Sequence, residues 1–289
     1  MIVLEVAFLI VFWTWVFAGA LFLRNTILPK APMWVPPEAE QLPRESVRFQ
    51  AADGLGLAGW KIPADSSAPW LILCHGLGTT RSDLLAAAVA LHEAGFNLFL
   101  FDFRAHGESQ GRVTSFGWRE QRDVEGALAF LGSQPDVPAK PYGIYGLSMG
   151  GAAAIMVAAR DERIGAVVVD SIYGDLETSI ARHLKLLYSL PRVPFNLMAC
   201  STYRLRFGVW PSQMSPKAVV GRLSPRPILF IHGETDPRMP LEHAKSLYEA
   251  AREPKELWVI PGGTHLGGLE VAPERYHAKL VQFFRSALK

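Results

Sequence analysis

From Ser46 to the C-terminus, short apolar runs alternate with longer stretches in which apolar positions recur every three or four residues. Runs of four to eight apolar residues bounded by turn formers read as buried strands, and the longer periodic stretches read as helices packed by one face. Strands are expected over Ser46 to Ala51, Leu57 to Ile62, Trp70 to Cys74, Phe96 to Phe101, Tyr142 to Tyr145, Ile164 to Val169, Ile228 to Ile231 and Glu256 to Ile260. Helices are expected over Leu84 to Glu93, Glu120 to Leu131, from the turn at Gly146 to Gly150 to about Ala159, Leu241 to Ala251 and Pro273 to Ala287. Asp53-Gly54 marks a hairpin between the first two strands. The alternation predicts an α/β protein: a mostly parallel eight-stranded sheet with helices on both faces and a leading antiparallel hairpin. Ligands of such sheets bind at the carboxyl ends of the strands.

Two regions break this rhythm. Ile2 to Leu23 is almost uninterrupted apolar sequence with Glu5 its only charge. As a helix it would span ~33 Å, enough for a ~30 Å bilayer core. The expectation is a membrane anchor over residues 1–24, single-pass and N-terminal. A cleaved leader ending near Ala18-Gly19-Ala20 and a buried core helix are the competing readings. Arg24 and Lys30 follow the segment, which places the following domain on the cytoplasmic side. Residues 25–45 carry prolines at 29, 32, 36, 37 and 43 and read as an extended tether.

The second break is an insertion at 176–226, which divides the core into 46–175 and 227–289. It carries Arg182, Lys185, Arg192, Arg204, Arg206, Lys217, Arg222 and Arg226 against Glu177 alone, with many leucines and aromatics between them. A long insertion at this end of a sheet is expected to form a lid. Basic plus apolar composition also suits a surface lying against anionic lipid, and equally a cap whose charges face water.

The chain has 289 residues, 49% of them hydrophobic, and a net charge of +2, which argues against a nucleic-acid partner. Its two cysteines, Cys74 and Cys200, give no disulfide framework, and no histidine or cysteine spacing suggests a metal.

Gly146-Leu147-Ser148-Met149-Gly150 follows one strand and opens one helix. That setting makes it a nucleophile elbow, with Ser148 on a turn too tight for side chains at Gly146 and Gly150. Further motifs are His75-Gly76-Leu77-Gly78, Asp102 to Ser109, His232-Gly233-Glu234-Thr235-Asp236-Pro237 and Gly263-Thr264-His265. In this order they resemble the α/β-hydrolase superfamily, and more narrowly its monoglyceride-lipase-like, serine-aminopeptidase-like and Bem46-like serine hydrolases. The resemblance covers Ser46 to the C-terminus outside the insertion.

The resemblance implies Ser148 as nucleophile, His265 as base and Asp236 as the acid that orients it, in the chain order Ser-Asp-His. His106 competes with His265, and Asp170, at the end of another strand, competes with Asp236. Asp102 and Asp123 are expected to hold loop and helix in place, and Asp175 to do so at the lid entry. The oxyanion donors would be the backbone N–H groups of Leu77 and Met149. Serine at 148 excludes the dehalogenases, which need a carboxylate there, and the dienelactone hydrolases, which need a cysteine. The implied activity is hydrolysis of carboxylic esters through an acyl-enzyme, without cofactor or metal, on small-molecule or lipid-derived esters. A peptidase, thioesterase or acyltransferase using the same triad, and a non-catalytic membrane-tethered binding protein, are the alternatives.

Overall fold

A computed structural model describes residues 2–27, 30–138 and 140–288. Eight strands form one sheet: β1 (Glu45–Gln50), β2 (Gly56–Ile62), β3 (Trp70–Cys74), β4 (Asn97–Phe101), β5 (Tyr142–Leu147), β6 (Ile164–Asp170), β7 (Ile228–Gly233) and β8 (Lys255–Ile260). Their order is β1-β2-β4-β3-β5-β6-β7-β8. The sheet is mixed: β2 runs antiparallel to both β1 and β4, and every other neighbouring pair is parallel.

The helices are α1 (Ile2–Thr26), α2 (Leu85–Glu93), α3 (Gln121–Gly132), α4 (Met149–Ala158), α5 (Leu176–Tyr188), α6 (Arg192–Phe207), α7 (Pro216–Val219), α8 (Glu242–Ala250), α9 (Gly268–Val271) and α10 (Pro273–Ala287). The two-residue period of the strands sorts the core into two layers. Ile72, Cys74, Phe99, Phe101 and Ile144 pack on one side against α3 and α4. Leu71, Leu73, Leu98, Leu100 and Tyr145 pack on the other against α2 and α10. Both cysteines are buried free thiols.

The insertion supplies α5, α6 and α7. Leu176, Ile180 and Leu184, four residues apart, present one apolar stripe of α5 to Ala199, Tyr203, Phe207 and Met239. Tyr203 donates to the carbonyl of Ser115 over 3.0 Å, tying α6 to the core.

The expected membrane anchor is corrected. Among the described residues, no helix is long and apolar enough to cross a membrane. The C-terminal turns of α1 belong to the protein: α1 packs on α6, and a Cβ on Gly19 would lie 3.1 Å from Thr202 Oγ1. Thr26 is buried and its carbonyl accepts from Thr114 N over 3.0 Å. The tether differs too. Its extended chain lies along the core, where Ala39 and Leu42 are buried and Met33 and Val35 pack beside the α2 layer. Pro29, counted with that tether, lies outside the described residues.

Candidate active site

The carboxyl ends of β3, β5, β6, β7 and β8 converge below the cap. Ser148 stands between β5 and α4 with φ 46° and ψ −116°, a backbone conformation costly for a residue with a Cβ. Close packing forces the glycines around it. A Cβ on Gly146 would lie 2.4 Å from the Cα of Gly151, and one on Gly150 would lie 2.3 Å from the carbonyl oxygen of His75. Ser148 N donates to the carbonyl of Asp170 over 2.8 Å, so the end of β6 helps to hold the turn.

His265 follows β8, and its Nδ1 lies 2.7 Å from Asp236 Oδ2. A carboxylate only accepts, so Nδ1 carries the proton and Nε2 presents a lone pair. The other oxygen of Asp236 accepts from Arg238 N and Met239 N, each at 2.8 Å. Burial pushes the Asp236 carboxyl up, but the His265 contact and the two backbone N–H groups outweigh it and hold it below the usual carboxylate range. Ser148 and His265 line one cavity of about 230 Å³, together with Gly76, Leu77 and Met149. Gly76 sits against Ser148: a Cβ there would lie 3.7 Å from Ser148 Cβ.

The competing residues have other duties. His106 accepts from Gly78 N at Nε2 over 3.0 Å and its Nδ1 lies 2.8 Å from the carbonyl of Arg104. Both ring nitrogens are used in fixing the loop that carries Leu77. His75 does the same for Phe103 N at 2.9 Å and the Gly76 carbonyl at 2.7 Å. Burial lowers both histidines, which favours the neutral form these contacts need. Asp170 does not reach His265 by a hydrogen bond; it accepts from Tyr276 at 2.5 Å and from Ser171 Oγ at 2.8 Å.

Asp102 accepts from Arg81 N at 2.8 Å, from Glu108 N at 2.9 Å, and from the Arg81 guanidinium. Asp123 grips Arg104 through its backbone and side chain, both within 2.9 Å. Asp175, just before α5, accepts from Ser215 Oγ. Glu120 was not singled out in the sequence, yet it gathers Thr114, Ser115 and Gly117 within 2.9 Å and so shapes the loop that brings Phe116 to the cavity. Its only sequence signal is a cluster of Thr, Ser and Gly ahead of a helix start.

The roof is apolar. Leu176, Ile180, Leu184 and Leu187 of α5 face the cavity with Tyr173 and Met239. Its polar ties are few. Arg182 donates to the carbonyl of Pro237 at 3.0 and 2.8 Å, joining cap to acid turn. Asn25, in the last turn of α1, lines the same cavity and donates to the Tyr188 hydroxyl over 2.9 Å.

A sheet of this order, with an elbow serine and a histidine-carboxylate pair over its edge, defines a hydrolase fold. The chain belongs to the alpha/beta hydrolase family, whose family model matches residues 71–279. It is 31% identical over 252 residues to the uncharacterised protein YfhR of Escherichia coli strain K12, covering 84% of this chain and 81% of that one. Among solved structures it resembles the Pyrococcus furiosus esterase Pf2001, with a TM-score of 0.74, 25% identity, and coverage of 91% of this chain and 100% of that one. The α/β hydrolase GrgF from a Penicillium species shares the fold, with a TM-score of 0.68, 24% identity, and coverage of 86% and 99%.

Proposed function

We propose that this hydrolase cleaves carboxylic esters through an acyl-enzyme on Ser148. The observation that carries the reading is the 2.7 Å contact of His265 Nδ1 with a buried Asp236, beside the cavity that Ser148 lines. Ser148 Oγ attacks the ester carbonyl as its proton passes to His265 Nε2. The tetrahedral oxyanion is held by the N–H groups of Leu77 and Met149, and Asp236 stabilises the imidazolium. Collapse expels the alcohol, which takes the proton from His265. Water then adds to the acyl carbonyl, giving its proton to His265, and the acid leaves with Ser148 reprotonated.

The cavity favours apolar acyl groups of modest size, since its volume of about 230 Å³ is small and most of its lining is aliphatic or aromatic. No Asp or Glu is among the described residues that line it, so a substrate's free ammonium would find no counter-ion there. That weighs against an aminopeptidase.

The test is covalent labelling by a fluorophosphonate, followed by turnover on esters, thioesters and amides of graded acyl length. The expected result is an adduct on Ser148 that Ser148→Ala abolishes, with esters turned over fastest at short to medium lengths. An unlabelled wild-type protein would point to a binding role. Fastest turnover on thioesters or amides would keep the triad and discard the ester.

A further inference from the structure

The residue pair at the end of β6 touches both halves of the site. Asp170 offers its backbone carbonyl to the nucleophile's own N–H at 2.8 Å. Ser171 offers its Oγ to the N–H of Leu266, the residue after His265, at 3.3 Å. Ser171 Oγ donates its proton to Asp170 Oδ1 at 2.8 Å, which leaves its lone pairs turned to Leu266. The second carboxylate oxygen accepts from Tyr276 at 2.5 Å, and Tyr145 lies 2.8 Å from that same hydroxyl. With the Tyr276 proton committed to Asp170, Tyr145 is the donor to Tyr276.

These groups are sealed from solvent: Asp170 is 2% exposed, Ser171 1% and Tyr276 1%. Burial pushes the Asp170 carboxyl up, and the Tyr276 and Ser171 hydroxyls pull against that rise. The backbone adds a second observation. Ser171 and Leu266 both hold left-handed conformations, with φ of 55° and 58°. Neither is a glycine, so surrounding contacts must impose these angles. The hydrogen bond between them locks one strained residue to the other.

We propose that Ser171, oriented by Asp170, is a positioning residue that holds the His265 loop in register with the Ser148 turn. It touches neither substrate nor reacting atoms; it acts through the backbone of Leu266. Asp170, left over once Asp236 orients the histidine, gains a role as the group that aims Ser171. The inference rests on the triad reading above, and deepens it.

Ser171→Gly and Ser171→Ala form the decisive pair. Glycine relieves the positive φ while removing the hydroxyl, so a purely structural Ser171 would tolerate glycine well. The expected result is a fall in kcat of about 10- to 100-fold in both variants with KM little changed, the scale of a small misplacement of reacting groups. Proton NMR gives a readout that needs no turnover: the downfield proton shared by His265 and Asp236 should exchange faster with solvent in both variants. Ser171→Gly that retains kcat within about twofold and keeps a wild-type proton signal would overturn the proposal. So would a loss confined to alanine, which would trace the effect to backbone strain. A wild-type protein that turns over no ester defeats the ester reading alone; the NMR comparison then decides this proposal by itself.

Discussion

The floor and the roof of the cavity are built by opposite means. The floor is polar and densely hydrogen-bonded: His75 and His106 each use both ring nitrogens, Asp102 and Asp123 are buried on arginines, and Ser148, Ser171 and Leu266 sit at positive φ. The roof is a stripe of leucines and isoleucine on α5 with a handful of polar ties, chiefly Arg182 to Pro237 and Asn25 to Tyr188. Hydrogen bonds and strained backbone fix atoms to a few tenths of an ångström, which bond-making chemistry needs. Dispersion between aliphatic groups is individually weak and tolerant of exchange, which under the proposed ester hydrolysis suits the sorting of acyl groups by size. Floor changes should therefore move rate or stability, and roof changes should move selectivity.

The sharpest blow to the floor is Asp236→Asn. It keeps shape but favours the wrong imidazole tautomer, and kcat should drop by about 10⁴-fold in steady-state ester hydrolysis. A drop below about tenfold would remove Asp236 from the triad. Next is Arg81→Met, which leaves Asp102 buried without its counter-ion, both side chains being at most 1% exposed. Breaking such a pair by removing one partner costs about 3–5 kcal/mol, measurable by denaturant unfolding. An unchanged midpoint would mean that the floor does not depend on this pair.

A smaller effect should appear with pH. Burial lowers His75 and His106 below the ordinary histidine value of 6.5. The unfolded chain then binds protons near pH 6.5 while the folded one stays neutral. Stability is fully present above that value and falls as pH drops below it, by up to about 1.4 kcal/mol per pH unit for each histidine. His106→Gln should flatten the slope, read from denaturation midpoints between about pH 8 and 5. The smallest effect belongs to the roof. Leu187 lines the cavity yet is 57% exposed, so Leu187→Ala should leave the unfolding midpoint within about 0.5 kcal/mol. The ratio of kcat/KM between long and short acyl esters should nevertheless shift several-fold. If that ratio stays fixed while stability falls, the division of labour between roof and floor is wrong.

The same division explains what the sequence reveals. Floor geometry demands particular residues: only glycine fits at 146 and 150, and a carboxylate must face His265. Those demands leave motifs, and so the strands and the elbow can be read from the chain, while the Asp236–His265 pairing follows from the family resemblance those motifs carry. The strand period of two likewise survives in Trp70 to Cys74 and Asn97 to Phe101, because each alternate residue must enter a different core layer. Roof geometry demands only apolar bulk, so nothing in Leu176 to Tyr188 says which leucine meets substrate. Ser171 and Tyr276 escaped notice because a hydroxyl bonding to a backbone N–H or to a buried carboxylate far along the chain carries no spacing rule. The N-terminal segment misled through its composition: its apolar run suggests a bilayer, and its packing on α6 at Gly19, with the hydrogen bonds of Asn25 and Thr26, leaves no mark in hydropathy.

Asn25 has a practical consequence. Hydrophobic leaders are commonly trimmed to ease expression, and a fragment starting after Thr26 would look like a clean catalytic domain. It would strip the donor from the Tyr188 hydroxyl and the acceptor from Thr114 N, two residues that sit at or beside the wall of the cavity. Substrate preferences recorded on that fragment would describe a cavity without Asn25 in its wall and with Tyr188 untethered.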